Sequence, residues 1–483
     1  MNRFKYSIVT AALVLGWGCK SSYEIPEKKA VPVEFETTSD STKNLSDQSW
    51  DQFFEDARLK ELIRLALRNN YDLLKTLEKI RIANAQMKMG KLGMLPQVNG
   101  MFGASQTKFG KYTMDGVGNY DTNFSENITE DEKIPDPYKD FGIGAQFSWE
   151  LDIWGKFSNR KKASISRWLA TQQAANLVKT QLVAQVAKLY YQLVGLDEEI
   201  IILNKNISYQ EIAFGLSKDL KESGKETQLA VDQFEALLLH SKSLLIEKER
   251  ELKATELALK GLVGSYEVSL QRTTLSQVNF MPEILQIGVP AQLLQRRPDI
   301  LQAENELEAA HADVGVARAA FFPSVRLFGS AGFNAFDFSK FFFTPGSAVY
   351  EMGAGLVAPI FNRGQIKASF EQAKASQQIA WLDYEQTVLN AYLEVIQVVN
   401  EYATLDEQLD LKTDEVLVLR RSISNANTMF SVGYANYLDV INSQNRALEA
   451  ELNYVGLKKQ QLASIVSLYK SLGGAATDLD VGE

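Results

Sequence analysis

"FGIGAQFSWELDI", residues 141–153, sorts its side chains by position. Phe141, Ile143, Ala145, Phe147, Trp149 and Leu151 alternate with Gly142, Gly144, Gln146, Ser148, Glu150 and Asp152. Neighbouring side chains on a strand point to opposite faces, so this segment shows one apolar face and one wet face. The pattern returns at 350–360, where Tyr350, Met352, Ala354, Leu356, Ala358 and Ile360 oppose Glu351, Gly353 and Gly355. Most of the remaining chain has helical periodicity.

The strands belong to a unit that is written twice. "NYDLLKTLEKIRIANAQMKMGKLGMLPQV" (70–98) aligns with "RPDILQAENELEAAHADVGVARAAFFPSV" (297–325), which places Asp72 on Asp299 and Pro96 on Pro323, 227 residues on. Gly155, Gly224 and Gly264 align with Gly364, Gly433 and Gly473, each 209 residues on. The change in offset confines the length difference to the segment between Pro96 and Gly155, as an insertion-tolerant loop would.

Repeat 1 is expected over 57–264, with strands near 98–108 and 140–152 and long helices near 157–220 and 225–263. Repeat 2 is expected over 293–474, with strands near 324–334 and 350–360 and helices near 365–430 and 434–472. Of the four strands, 98–108 is weakly patterned. The proline-free run from Phe157 to Leu220 has apolar residues three and four apart, and at ~1.5 Å per residue it would reach about 90 Å. It carries too many charges to lie in a bilayer. The helix pairs read as tall antiparallel hairpins with coiled-coil-like faces. The loop 335–349, "AFDFSKFFFTPGSAV", brings Phe336, Phe338 and Phe341 to Phe343 to a hairpin tip, either as loop packing or as a contact at a membrane edge.

The bulk numbers narrow the class. The chain has 483 residues, 45% of them hydrophobic, and a net charge of −9. With no basic stripe interleaved with aromatics, nucleic acid is not an expected partner. One cysteine and two histidines exclude an internal disulfide and leave little for a metal site, so no metal or other cofactor is expected. No nucleophile, acid/base pair or phosphate loop is apparent, and an enzyme is not expected. "MNRFKYSIVTAALVLGWGCKSS" opens with Arg3 and Lys5, continues through an apolar run and reaches Gly18-Cys19. Residues 1–18 read as a secretory signal peptide. Cys19 resembles a bacterial lipoprotein processing site, although Gly16 and Trp17 depart from the usual motif. Cys19 is expected to carry the lipid at the head of an N-terminal segment, 19–56. Lys20 favours delivery to the outer membrane.

Strands with one apolar face match transmembrane β-barrel strands. Four strands cannot close a barrel, and an open sheet edge is forbidden in lipid. Several copies must therefore contribute to one barrel, with their long helices gathered below it. Phe147 and Trp149 would then face lipid.

"LLQRRPDILQAE" (293–304), "SWELDIWGK" (148–156), "PIFNRGQ" (359–365) and "SVGYANYLDVINSQ" (431–444) together resemble the TolC-like outer-membrane factors of tripartite efflux systems, specifically their lipoprotein branch. The resemblance runs from about Ser49 to Gly474. It implies a mostly α protein with a membrane β-barrel: a homotrimer with a twelve-stranded barrel on a periplasmic α-barrel. It also implies an equatorial region that includes 265–292 and the tail 475–483. The implied partners are a periplasmic adaptor (membrane fusion) protein, an inner-membrane pump and outer-membrane lipid. The hairpin tips, with Gly224, Lys225, Gly433 and Tyr434, would meet the adaptor. Asp439 falls on the family's tip aspartate, the candidate pore gate. Ala230 occupies its place in repeat 1, with Asp232 the nearest carboxylate, and Asn442 stands where some relatives carry a second aspartate. Arg296, Arg297 and Asp299 read as a helix start with packing between protomers. The implied function is a passive exit duct for small toxic compounds such as drugs. Polypeptide or metal-ion cargo is the alternative in the same fold, and a lipid-anchored coiled coil without a pore is the alternative of another class.

Overall fold

The computed structural model describes residues 49–278 and 296–474. The expected signal peptide, Cys19, most of the 19–56 segment, residues 279–292, the start of the LLQRRPDI motif and the 475–483 tail lie outside the described residues.

A short helix, α1 (Trp50–Phe53), precedes repeat 1, which opens with α2 (Ala57–Asn69). Repeat 1 then runs α3 (Tyr71–Leu92), β1 (Gln97–Thr107), α4 (Met114–Thr122), β2 (Tyr138–Glu150), α5 (Lys156–Glu222) and α6 (Gln228–Val263). Repeat 2 runs α7 (Pro298–Ala319), β3 (Ser324–Ala335), β4 (Ala348–Val357), α8 (Gln365–Ser431) and α9 (Tyr437–Ser471). Helices α5 and α8 have 67 residues each, about 100 Å of helix.

Local chemistry sets the boundaries. Asn70 accepts hydrogen bonds from the backbone of Asp72 and Leu73 and so caps α3. In repeat 2, Pro298 occupies the first turn of α7, where its missing N–H costs nothing. Strand β4 stops at Val357, short of the expected 360, because Pro359 has no N–H to donate to a ladder. The Gly-, Asn- and Asp-rich segment after β1 contains α4, which its composition does not announce; Thr113 caps it by accepting from Gly116 N.

The strands form one antiparallel sheet in chain order, β1-β2-β3-β4. Its register carries the repeat at residue level. Val98 pairs with Phe147 in repeat 1, and the offsets of 227 and 209 map that pair onto Val325 and Leu356, which are partners in repeat 2. The six aligned glycines all have positive φ, from +70° to +94°. At Gly264 a Cβ would also lie 2.6 Å from Asn69 O. Gly264→Ala is therefore expected to cost about 2 kcal/mol, read as a fall in the thermal midpoint.

The main core surrounds the middle of α5 and α8 and the C-terminal ends of α6 and α9. Phe53, Phe54, Leu59 and Ile63 pack with Tyr190, Leu193 and Val194 of α5, Leu259 of α6, and Leu462, Ile465 and Tyr469 of α9. The segment after α6 joins this core through Leu275.

Candidate functional site

The sheet has one apolar face across all four strands. Register places Val98 and Phe102 beside Phe147 and Ile143, then Gly329 and Phe333, then Met352 and Ala348. Val98 and Phe102 put the weakly patterned β1 in line with the others. This face is open: Phe102 is 74%, Tyr350 83% and Met352 79% exposed. A contiguous exposed apolar surface of this kind marks an interaction surface. Phe147 is half-buried over Gly329, where a Cβ would lie 2.6 Å from its ring. Trp149 is 37% exposed and donates from Nε1 to Met94 O at 2.9 Å. Between Trp149 and Phe141 lie about 26 Å of strand at ~3.3 Å per residue, on the scale of a barrel's apolar band.

The opposite face is mostly polar and small, with Met101 and Phe328 as its large apolar side chains, Phe328 lying over Gly353. Glu150 pairs with Lys156 at 2.8 Å and faces Arg326 across the ladder. Asn334 donates to Asp140 at 2.7 Å. Aromatics edge the sheet at both ends. Trp154 stacks on Phe322 and donates to Pro323 O at one end; Phe342 packs on Phe333, and Phe338 on Phe141, at the other. Of the five loop phenylalanines, Phe341 is buried, while Phe338, Phe342 and Phe343 are exposed.

At the far end, two tight turns join the hairpins. Gly224 and Gly433 hold φ of +73° and +82°, Lys225 N donates to Leu220 O, and Tyr434 N donates to Met429 O. Tyr434 is 83% exposed. Asp439 is exposed and tied into a capping box: Asn436 N donates to its carboxylate at 3.0 Å, and its own N–H donates to Asn436 Oδ1 at 3.1 Å. In repeat 1, Thr227 accepts from Ala230 N, so the box is half-built there. Asp232, also exposed, accepts from Gln228 Nε2 at 2.6 Å. No hydrogen bond or ion pair joins Asp232 to Asp439 within the chain.

Two buried ion clusters went unread in the sequence. Glu199 of α5, almost fully buried, pairs with Lys459 of α9 and, at 2.8 Å, with Lys248 of α6. Gly195 makes room for the Lys459 stem, which a Cβ would strike at 2.3 Å. Its one signal is the acidic triplet Asp197, Glu198 and Glu199 inside the apolar run "LVGLDEEIIIL". The second cluster forms on Arg297, which is 6% exposed. Its guanidinium donates to Asp299, to Glu394 of α8 and to Ser471 O of α9. Burial opposes the Glu394 charge, but Arg297 and Lys470 outweigh it and hold the carboxyl below its usual range. Arg297 thus stands at the start of α7 and joins three helices of its own chain. His240 and His311 are exposed and separate. Among the described residues no group of three His, Cys, Asp or Glu side chains is gathered as a metal site. No helix there is long and apolar enough to cross a membrane.

Comparison with known proteins bears on this arrangement. The model of the family described as "Outer membrane efflux protein" matches residues 62–265 and 289–474. The chain is 29% identical over 469 residues to the cation efflux system protein CusC of Escherichia coli, covering 96% of this chain and 97% of that protein. It is 29% identical over 437 residues to the pyoverdine export outer membrane protein OpmQ of Pseudomonas putida, covering 90% of each. A solved structure of CusC, described in terms of folding and transmembrane channel formation, superposes with a TM-score of 0.81 at 27% identity, over 94% of this chain and 99% of that one.

Proposed function

Because the chain belongs to the outer membrane efflux protein family, we propose that it is the outer-membrane exit duct of a tripartite efflux system. The observation that carries this reading is the four-stranded sheet with one exposed apolar face and two unpaired edges, β1 and β4. Hydrocarbon suits the face and forbids the edges. Three copies supply twelve strands and leave no edge. Phe147 and Trp149 then meet lipid, and Glu150 and Gln146 line the water-filled side. The long helices of the three copies form a periplasmic cylinder below, closed at its tips. A lipid on Cys19 anchors the chain to the outer membrane. The pump and the adaptor supply the energy, and this chain supplies the conduit and its gate.

The tips Gly224, Lys225, Gly433 and Tyr434 receive the adaptor. Asp439 is the main gate carboxylate, one per copy, with Asp232 secondary. The cargo class is small toxic solutes; CusC is named for cation efflux and OpmQ for pyoverdine export, and similar chains therefore serve different cargoes.

Planar-bilayer recording tests the reading. The purified protein is expected to conduct, and to favour cations while Asp439 is charged. Asp439→Asn keeps a side-chain acceptor for the helix cap and removes the charge. It is expected to lower cation selectivity several-fold, seen as a shift of the reversal potential towards zero, with a smaller shift for Asp232→Asn. A folded protein without conductance, wild type and variant alike, would indicate a lipid-anchored scaffold.

A further inference from the structure

A buried polar layer crosses the helical hairpins between their tips and the main core. At the tip end, Phe214 of α5, Leu237 of α6 and Val440 of α9 pack in one apolar cluster. One turn further from the tips, four residues along each helix, stand Gln210, Ser241 and Gln444. Lys242 of α6 pairs with Glu211 of α5 at 2.7 Å, which sets Gln210 and Ser241 at the same height. The three side chains are 0%, 0% and 3% exposed. Yet Gln210 Oε1, Ser241 Oγ and Gln444 Oε1 have no hydrogen-bond partner within the chain. Gln210 Nε2 donates to Asn206 Oδ1 at 2.9 Å, which holds the amide and leaves its oxygen unpaired. Ser217 of α5 and Ser464 of α9, also buried, donate to backbone carbonyls of their own helices; Ser241 makes no such bond.

The fold does not require polar residues here. The 209-residue offset carries Gln210 and Ser241 onto Leu419 and Ala450, which are buried together in an apolar cluster of repeat 2. An unpaired polar group is costly to bury, so three at one height call for a shared partner. We infer that the three side chains hold one buried water, and that this hydrated layer is the joint about which the tips move. Donors and acceptors balance for a single molecule. Its two O–H groups donate to Gln210 Oε1 and Gln444 Oε1, and its oxygen accepts from the Ser241 hydroxyl. Three such bonds are the usual complement of a buried water. An open groove of about 570 Å³ between α6 and α9, lined by Leu237, Leu244, Ile441 and Leu448, gives access on the same turns. A water can exchange partners as helices slide, whereas interlocked apolar side chains must first unpack. The joint, unlike the water site, rests on the gate proposed above.

Three measurements test this. A density map of the purified protein that resolves ordered water is expected to show one water about 3 Å from all three oxygens. Direct bonds among the three side chains, with no water between them, would overturn the site. Ser241→Ala or Gln444→Met alone strands the remaining polar groups and is expected to lower the thermal midpoint. Adding both to Gln210→Leu, which copies repeat 2 at positions 210 and 241, is expected to return the midpoint to the wild-type value or above. Losses that simply add would overturn the shared water. In planar bilayers the triple variant is expected to open several-fold less often than wild type at equal single-channel conductance. An unchanged opening frequency would overturn the joint and leave the duct standing; wild-type protein that never conducts would overturn the duct itself.

Discussion

Arg297→Met is expected to destabilise each chain by about 3 kcal/mol, enough to cut the yield of assembled protein severely. Arg297 binds Asp299 at 2.8 Å, Glu394 at 2.8 Å and the Ser471 carbonyl at 2.8 Å, and joins the start of α7 to the middle of α8 and the end of α9. Removing it leaves two partly buried carboxylates with only Lys470, 3.0 Å from Glu394, in partial compensation. Breaking such a pair costs about 3–5 kcal/mol, and the partial exposure of both acids places this case at the lower end. Arg297→Lys keeps the charge but not the forked geometry, and is expected to recover only part of the loss. The contribution has a defined pH range. The folded pKa of Glu394 lies below its unfolded value. The stabilisation is therefore complete above the ordinary carboxylate range and is lost as pH falls through the folded value. Chemical denaturation of the purified protein at pH 7 and at progressively acid pH checks both: the gap between wild type and Arg297→Met should be full at pH 7 and narrow only in acid.

The second large effect is confined to one of two adjacent positions. Ala145 lies on the apolar face between Gly100 and Ala331, and Gln146 points to the other side. An arginine facing lipid near the middle of a barrel strand costs about 2–4 kcal/mol, and a threefold ring incurs that cost three times. Ala145→Arg is expected to abolish heat-resistant assembled protein in the outer membrane. Gln146→Arg, one residue on, is expected to leave assembly near wild type and to alter ion selectivity. Equal tolerance at the two positions would mean that neither faces hydrocarbon.

What could be read in advance followed the range of each interaction. Period-two alternation is local, so β2 and β4 were legible from their own residues. The repeat offsets also act residue by residue, and the Val98–Phe147 and Val325–Leu356 pairs obey both of them. Strand β1 was harder to read, because Met101 puts an apolar side chain on its wet face and Gly100 and Gly103 leave gaps in the alternation. Helix α4 was missed: "MDGVGNYDT" has two glycines and depends on the Thr113 cap rather than on propensity.

The ion clusters were illegible for another reason. Lys459 is 260 residues from Glu199, and Glu394 is 97 from Arg297; only the packed helices bring them together. At the tips the sequence located Asp439, and the structure adds its bond to Asn436. That carboxylate therefore caps a helix in addition to the gate role proposed for it, which is why Asp439→Asn is a cleaner test than Asp439→Ala.

In the proposed duct one face of this sheet touches hydrocarbon while the other touches water. Nitroxide labels placed singly at each position from 142 to 150, in protein reconstituted into bilayers, measure it by collision with molecular oxygen and with a water-soluble nickel complex. Oxygen contact should peak at 143, 145, 147 and 149, and nickel contact at 142, 144, 146, 148 and 150. Labels that all meet the nickel complex alike, or that meet neither reagent, would contradict the claim.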